Sequence, residues 1–202
     1  MIKLYCFPRS GNSRETKLTL IEKVIPFEAI NTHAPDFNKE DPEFKKASPK
    51  GKVPAIIDND VYLSEAFEIN QYLDKKYPIP ALMPENETSK AKIREWVTLN
   101  DKAFVLKIGL LVIECLLKPK DQQKEETKQK LRAEIAAAMK EMDQMLEGRE
   151  YLFGEYSLAD ISVTPHIAAL PILGSGIPAE LKNVNAWFTR IQARPNFKQS
   201  AS

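Results

Sequence analysis

Residues 1–14, MIKLYCFPRSGNSR, decide how the rest of the chain is read. Ile2, Leu4 and Cys6 alternate with Lys3, Tyr5 and Phe7, the period of two that marks a strand. Pro8 has no N–H to donate and ends the pairing. Arg9 to Ser13 is a polar turn, and from Arg14 the spacing becomes helical through Leu18, Ile21 and Glu22. A strand is therefore handed abruptly to a helix. Ser10 falls at or just before the helix N-terminus, where unpaired backbone N–H groups and the helix dipole favour an anion. Taken alone, Ser10 or Ser13 reads simply as a helix cap.

A chain of 202 residues has length for one large domain or two small ones. Its 43% apolar and 28% charged content is that of a globular protein, and a net charge of +1 argues against a nucleic-acid binder. No apolar run approaches the roughly 18 residues that span a bilayer, so no membrane partner is expected. The alternating, proline-interrupted start does not read as a signal peptide. Two cysteines, Cys6 and Cys115, make no disulfide framework and fit a reducing cytoplasm. The two histidines, His33 and His166, lack ligand-spaced partners, so no metal is expected.

Onward from the first helix, residues 25–31 (IPFEAIN) read as a second strand. Residues 32–51 are polar, broken by Pro35, Pro42 and Pro49, and read as a long loop with one helical turn; loops of that length are often functional. Ala55–Asp58 and Val61–Leu63 flank the turn Asn59-Asp60 as a hairpin. Ser64 is the expected N-cap of a helix through Phe67, Ile69, Tyr72 and Leu73, ending near Lys76 before Pro78. A proline-rich stretch, residues 78–84, follows. Beyond it the pattern is helical only: one helix from Ser89 to about Leu117, a second from Lys120 to Leu146, and a last one over 180–193 closed by Arg194-Pro195. Ser157 three residues before Asp160 is a capping box with Asp in place of Glu. Strands followed by a run of helices indicate an α/β unit and then an all-α unit. The expected division is 1–77, a linker 78–88, and 89–202.

Four stretches, in this order and at these separations, resemble the cytosolic glutathione transferases. Phe7-Pro8-Arg9-Ser10-Gly11-Asn12-Ser13-Arg14 is similar to the strand-to-helix turn of the serine-using, theta-, phi- and beta-like classes. Ser48-Pro49-Lys50-Gly51-Lys52-Val53-Pro54-Ala55 is close to the family's N-P-x-G-K-V-P. Leu63-Ser64-Glu65-Ala66 through Tyr72-Leu73 resembles its L-x-E-S…Y-L, and Tyr156 to Ile161 its F-S-L-A-D-I. The resemblance implies a thioredoxin-like N-terminal domain, an all-α C-terminal domain and a homodimer. It also implies a transferase that joins the glutathione thiolate to a small hydrophobic electrophile in detoxification, with glutathione as co-substrate and no other cofactor.

Residue by residue, the resemblance puts Ser10 at the thiol, with Ser13 and Tyr5 as alternatives. A free thiol has a pKa near ~8.5. A hydroxyl donating to the thiolate is worth about 1.5–3 kcal/mol, which lowers that pKa by roughly one to two units. Pro54 is the family's cis-proline, so that the Val53 backbone pairs with the glutathione peptide. Glu65 meets the γ-glutamyl ammonium, while N–H groups at Ala66 hold the adjoining carboxylate. Lys52 and Lys39 face the other carboxylate, and Phe7 and Phe104 wall the electrophile pocket. Two departures bear on the site: Ser48 replaces the family's usual asparagine, a mild change, and Ala66 stands where the family has a serine whose hydroxyl would bind the γ-glutamyl carboxylate. That loss motivates the alternative of a non-catalytic binding or assembly module. A glutaredoxin-like redox role fits poorly, because the chain has no Cys-x-x-Cys.

Overall fold

The computed structural model describes residues 1–201. They divide into two compact units, one of residues 1–83 with 192–201 and the other of residues 84–191. The last residues thus group with the first unit instead of the helical one expected to hold them.

In the first unit, β1 (Ile2–Cys6), β2 (Phe27–Asn31), β3 (Ala55–Asp58) and β4 (Val61–Ser64) form one sheet in the order β2-β1-β3-β4. β1 runs parallel to β2 and antiparallel to β3, and β3 to β4. Both faces are covered, which is why β1 carries apolar residues at odd and even positions. Ile2, Leu4 and Cys6 pack with Leu20 of α1 (Gly11–Glu22), Ile56, and Ile69 and Leu73 of α3 (Ala66–Lys76). Tyr5, Ala55 and Ile57 pack on the other face with Phe44 and Ala47 of α2 (Pro42–Ala47). The long 32–51 stretch therefore contains a short helix that closes a core. Asp41 caps it, accepting from the Glu43 and Phe44 N–H groups.

Two boundaries differ from the sequence reading. Helix α1 begins at Gly11, earlier than Arg14, because Ser10 supplies its cap. Ser64 does not cap α3; it ends β4 opposite Ala55, and Glu65 takes the cap position.

The second unit is helical. Its first helical run spans 87–117 as α4 (Glu87–Asn100) and α5 (Leu106–Val112), with π-helical turns at Asp101–Val105 and Ile113–Leu117. A short 3-10 turn separates it from α6 (Glu125–Met145), which starts later than expected because buried Glu114 accepts from the Lys124 N–H just ahead of it. Then come α7 (Leu158–Ala169) and α8 (Lys182–Ala193), the latter ending at the boundary with the first unit. α7 is buried over most of its length, and its capping box forms as expected. Asp160 accepts from the Ser157 N–H at 3.0 Å and hydroxyl at 3.2 Å, from the Leu152 N–H at 3.1 Å and from Trp187 Nε1–H at 2.8 Å.

Pro195 does not end the helical pattern. It opens a further short helix, α9 (Pro195–Gln199), at a first-turn position where its missing N–H costs nothing.

Candidate active site

The register of the sheet brings three distant stretches to one end of it. Tyr5 pairs with Ala55, and Ala55 with Ser64. The residues just beyond these, Phe7–Ser10, Val53-Pro54 and Glu65-Ala66, consequently leave the sheet at the same end. Val53-Pro54 is a cis peptide leading into β3. It follows a turn in which the Gly51 N–H donates to the Ser48 carbonyl (2.9 Å), with Gly51 at a φ of 64° that suits glycine. The buried Ser48 hydroxyl donates to the Lys52 carbonyl at 2.7 Å, a tie that the sequence offered only as a change from the family's asparagine.

Ser10 is the N-cap of α1 in an extended conformation (φ −85°, ψ 122°). Its Oγ accepts from the Ser13 N–H at 3.2 Å, and its own N–H donates to the Phe7 carbonyl at 2.9 Å. A hydroxyl that accepts in this way keeps its proton to donate. Ser13 is placed differently. It is 3% exposed, and its Oγ accepts from the Phe7 N–H at 3.2 Å, tying the turn across its base. Tyr5 is 1% exposed and packs among Phe37 and Phe44, with ring centroids at 6.2 and 5.1 Å. Burial raises its pKa, so it stays a neutral core phenol.

At the N-terminus of α3, Glu65 is exposed and has φ 72° and ψ 117°, an uncommon conformation for a residue with a side chain. No side chain caps this helix. Backbone outliers of this kind cost about 1–3 kcal/mol and cluster at ligand clamps. Ala66 is buried, and Lys52 is exposed next to Val53. Lys39 lies exposed in the stretch before α2 and is drawn to the others by no hydrogen bond or ion pair among the described residues. Phe7 is half-buried and stacks on His33, ring centroids 3.9 Å apart. His33 sits in a polar loop and had no signal marking it as a neighbour of the turn. Phe104 is wholly buried in the helical unit and presents no surface to a ligand, a correction to its expected place in the electrophile pocket. Its helical spacing marked it as apolar without telling core from wall.

Among the described residues no group of three or more His, Cys, Asp or Glu is placed to hold a metal ion. Among the described residues, likewise, no helix is long and apolar enough to cross a membrane.

Comparison with known proteins agrees with this geometry. The family "Glutathione S-transferase, N-terminal domain" matches residues 4–87, and "Glutathione S-transferase, C-terminal domain" matches residues 106–195. Glutathione S-transferase 3 of Zea mays is 30% identical over 212 residues, covering 100% of this chain and 93% of that protein. Glutathione S-transferase F10 of Arabidopsis thaliana is 26% identical over 203 residues, covering 95% of this chain and 93% of the other. The crystal structure of glutathione transferase F2 from Populus trichocarpa superimposes with a TM-score of 0.86 at 26% identity, covering 99% of this chain and 97% of that one. The chain belongs to the glutathione S-transferase family, with the family's thioredoxin-like first domain and helical second domain.

Proposed function

We propose that the protein is a glutathione transferase that conjugates the glutathione thiolate to a small hydrophobic electrophile, with Ser10 as the group that stabilises the thiolate. The observation that carries this reading is the convergence of Ser10, Val53 and Glu65-Ala66 at one end of the sheet, two of them at helix N-termini. Glutathione is a tripeptide with two carboxylates and one ammonium. The uncapped N-terminus of α3 suits its γ-glutamyl carboxylate, and the exposed Glu65 its ammonium. The Val53 backbone, at the entry to β3, offers a sheet-like edge to the peptide. Lys52 beside it, and Lys39 in the stretch before α2, supply charge for the second carboxylate. The thiol then lies at the first turn of α1, where the Ser10 proton and the helix N-terminus both favour its ionised form. Phe7 offers an apolar ring to the electrophile.

Ser13 is not the donor in this scheme, because its hydroxyl is buried in the base of the turn. In Ser10→Ala, turnover falls by about one to two powers of ten while glutathione affinity stays near wild type, since only a contact to the thiolate is lost. Unchanged turnover in that variant would sink the assignment.

The finer reading is a cytoplasmic homodimer that removes reactive electrophiles. Two free cysteines, Cys6 and Cys115, support a reducing compartment. A second copy of the chain is supported by Leu99, Leu106, Leu110, Ile113 and Leu117, which are exposed at steps of seven, four, three and four along one helical run.

A further inference from the structure

The C-terminal segment lies along α1 and is bonded to it at both ends. At the far end, the Glu22 carboxylate accepts from Arg194 Nε and Nη2 (3.0–3.1 Å) and from Asn196 Nδ2 (2.8 Å). At the near end, Arg14 Nε–H donates to Ser200 Oγ at 3.1 Å and its Nη2–H to the Phe197 carbonyl at 3.2 Å. The same guanidinium lies 4.3 Å from the centre of the Phe197 ring. Ser200 is itself fixed, its hydroxyl donating to the Phe197 carbonyl at 2.7 Å.

Arg14 is also joined to the active-site turn. Its backbone N–H donates to the Ser10 carbonyl at 3.0 Å, and it directly follows Ser13, whose N–H holds Ser10 Oγ. Beside this turn is a cavity of about 160 Å³ lined by Cys6, Phe7, Ser13, Arg14, Lys17 and Ser200, among others. Close packing normally holds a core element in place, and a void next to it leaves room to shift. Here the first turn of α1 borders such a void. It is held by the turn's own hydrogen bonds, by Glu15, whose carboxylate accepts from Asn70 Nδ2 at 2.7 Å, and by the guanidinium that reaches across to the tail.

We propose that Arg14, clamped by Phe197 and Ser200, is a positioning residue for the reaction, holding the first turn of α1 so that the Ser10 hydroxyl meets the thiolate. This rests on the assignment of Ser10 as thiolate donor. The clamp acts on the thiolate through geometry, since Arg14 points to the tail. Its loss therefore weakens thiolate stabilisation more than glutathione binding.

The test is the pH dependence of the bound thiol, followed by ultraviolet absorbance of the thiolate in the full-length protein with glutathione. It uses Arg14→Ala, Arg14→Lys, Phe197→Leu/Ser200→Ala and Ser10→Ala, with urea unfolding to show that each is folded. In Arg14→Ala and in the tail double variant the thiol pKa rises by about one unit and kcat near neutral pH falls about tenfold, with glutathione affinity within about threefold of wild type. Arg14→Lys lies between, because an ammonium keeps the charge and loses the fork and the stack. A wild-type thiol pKa and kcat in whichever of these variants fold, beside a raised pKa in Ser10→Ala, overturns the clamp and leaves the Ser10 assignment standing. An unshifted Ser10→Ala overturns the assignment itself.

Discussion

Ser10 and Ser13 are separated by a single turn of helix and by opposite environments. Each accepts one backbone N–H, but Ser13 does so inside the fold and Ser10 at its edge. Ser13→Ala is therefore expected to cost stability, about 1 kcal/mol from the lost tie to Phe7, and to be read in a urea titration more than in turnover. Tyr5→Phe keeps full turnover, because the ring belongs to the core under α2; a large loss of kcat would return the phenol to the list of thiol partners. Ala66 gives the opposite kind of test. It stands at the first position of α3, where a serine hydroxyl would add a hydrogen bond to a bound carboxylate. Ala66→Ser is expected to tighten glutathione binding by about 1.5–3 kcal/mol, roughly ten- to a hundredfold by calorimetry. No gain would place the γ-glutamyl carboxylate elsewhere. The residue types at these positions were readable from the chain. That Glu65 holds a left-handed backbone and takes the cap position of α3 without capping it, where Ser64 had the better cap chemistry, was not, because the choice follows from Ser64 pairing with Ala55 across the sheet.

Helix α7 is the element on which two buried titratable groups meet opposed fates. Burial pushes the Asp160 carboxyl up to about 6, against four donors that pull it down. Burial likewise pushes the His166 imidazole down to about 4, and its Nε2 has no partner among the described residues. For Asp160 the unfolded value is near ~3.9. Between that and 6 the folded chain holds a proton that the unfolded chain lacks, so stability falls as pH rises through this window. For His166 the unfolded value is near ~6.5. Between 4 and that value the unfolded chain binds the extra proton, so stability rises with pH and is lost on acidification. The two windows overlap and oppose each other. His166→Leu should therefore gain stability relative to wild type as pH drops from 7 to 5, by about 2 kcal/mol at 1.36 kcal/mol per unit. Parallel urea curves at the two pH values check it, and an offset independent of pH would refute it. The box itself, Ser157 with Asp160, was legible from a spacing of three; the two further donors, Leu152 and Trp187, come from elsewhere in the chain and left no local mark.

At the level of the molecule, the exposed leucine row of the helical unit carries the prediction. Each such side chain gains about 1.5–3 kcal/mol on leaving water, enough for a self-complementary face to hold two copies together. Sedimentation velocity should find a dimer at micromolar concentration, and Leu110→Glu with Ile113→Glu should turn it into a monomer. A wild-type monomer, or a double variant that stays dimeric, would place the contact on another face. Composition and order of pattern were sufficient for the rest of the outline. Short strand-like runs broken by turns before residue 64, and only helical-period runs after residue 87, point to a unit with a sheet followed by a helical one. The motifs at Ser10, Val53-Pro54 and Glu65 likewise marked the three stretches that leave the sheet at one end. Three features needed the folded chain. Phe104 is core, because which apolar residue faces a void and which a neighbour is settled by packing. The segment 192–201 groups with the first unit and Arg14 reaches it from a helix more than 180 positions earlier, a pairing that no local window contains. The convergence of the three site stretches is a matter of strand register. A register exists only once Tyr5, Ala55 and Ser64 stand side by side.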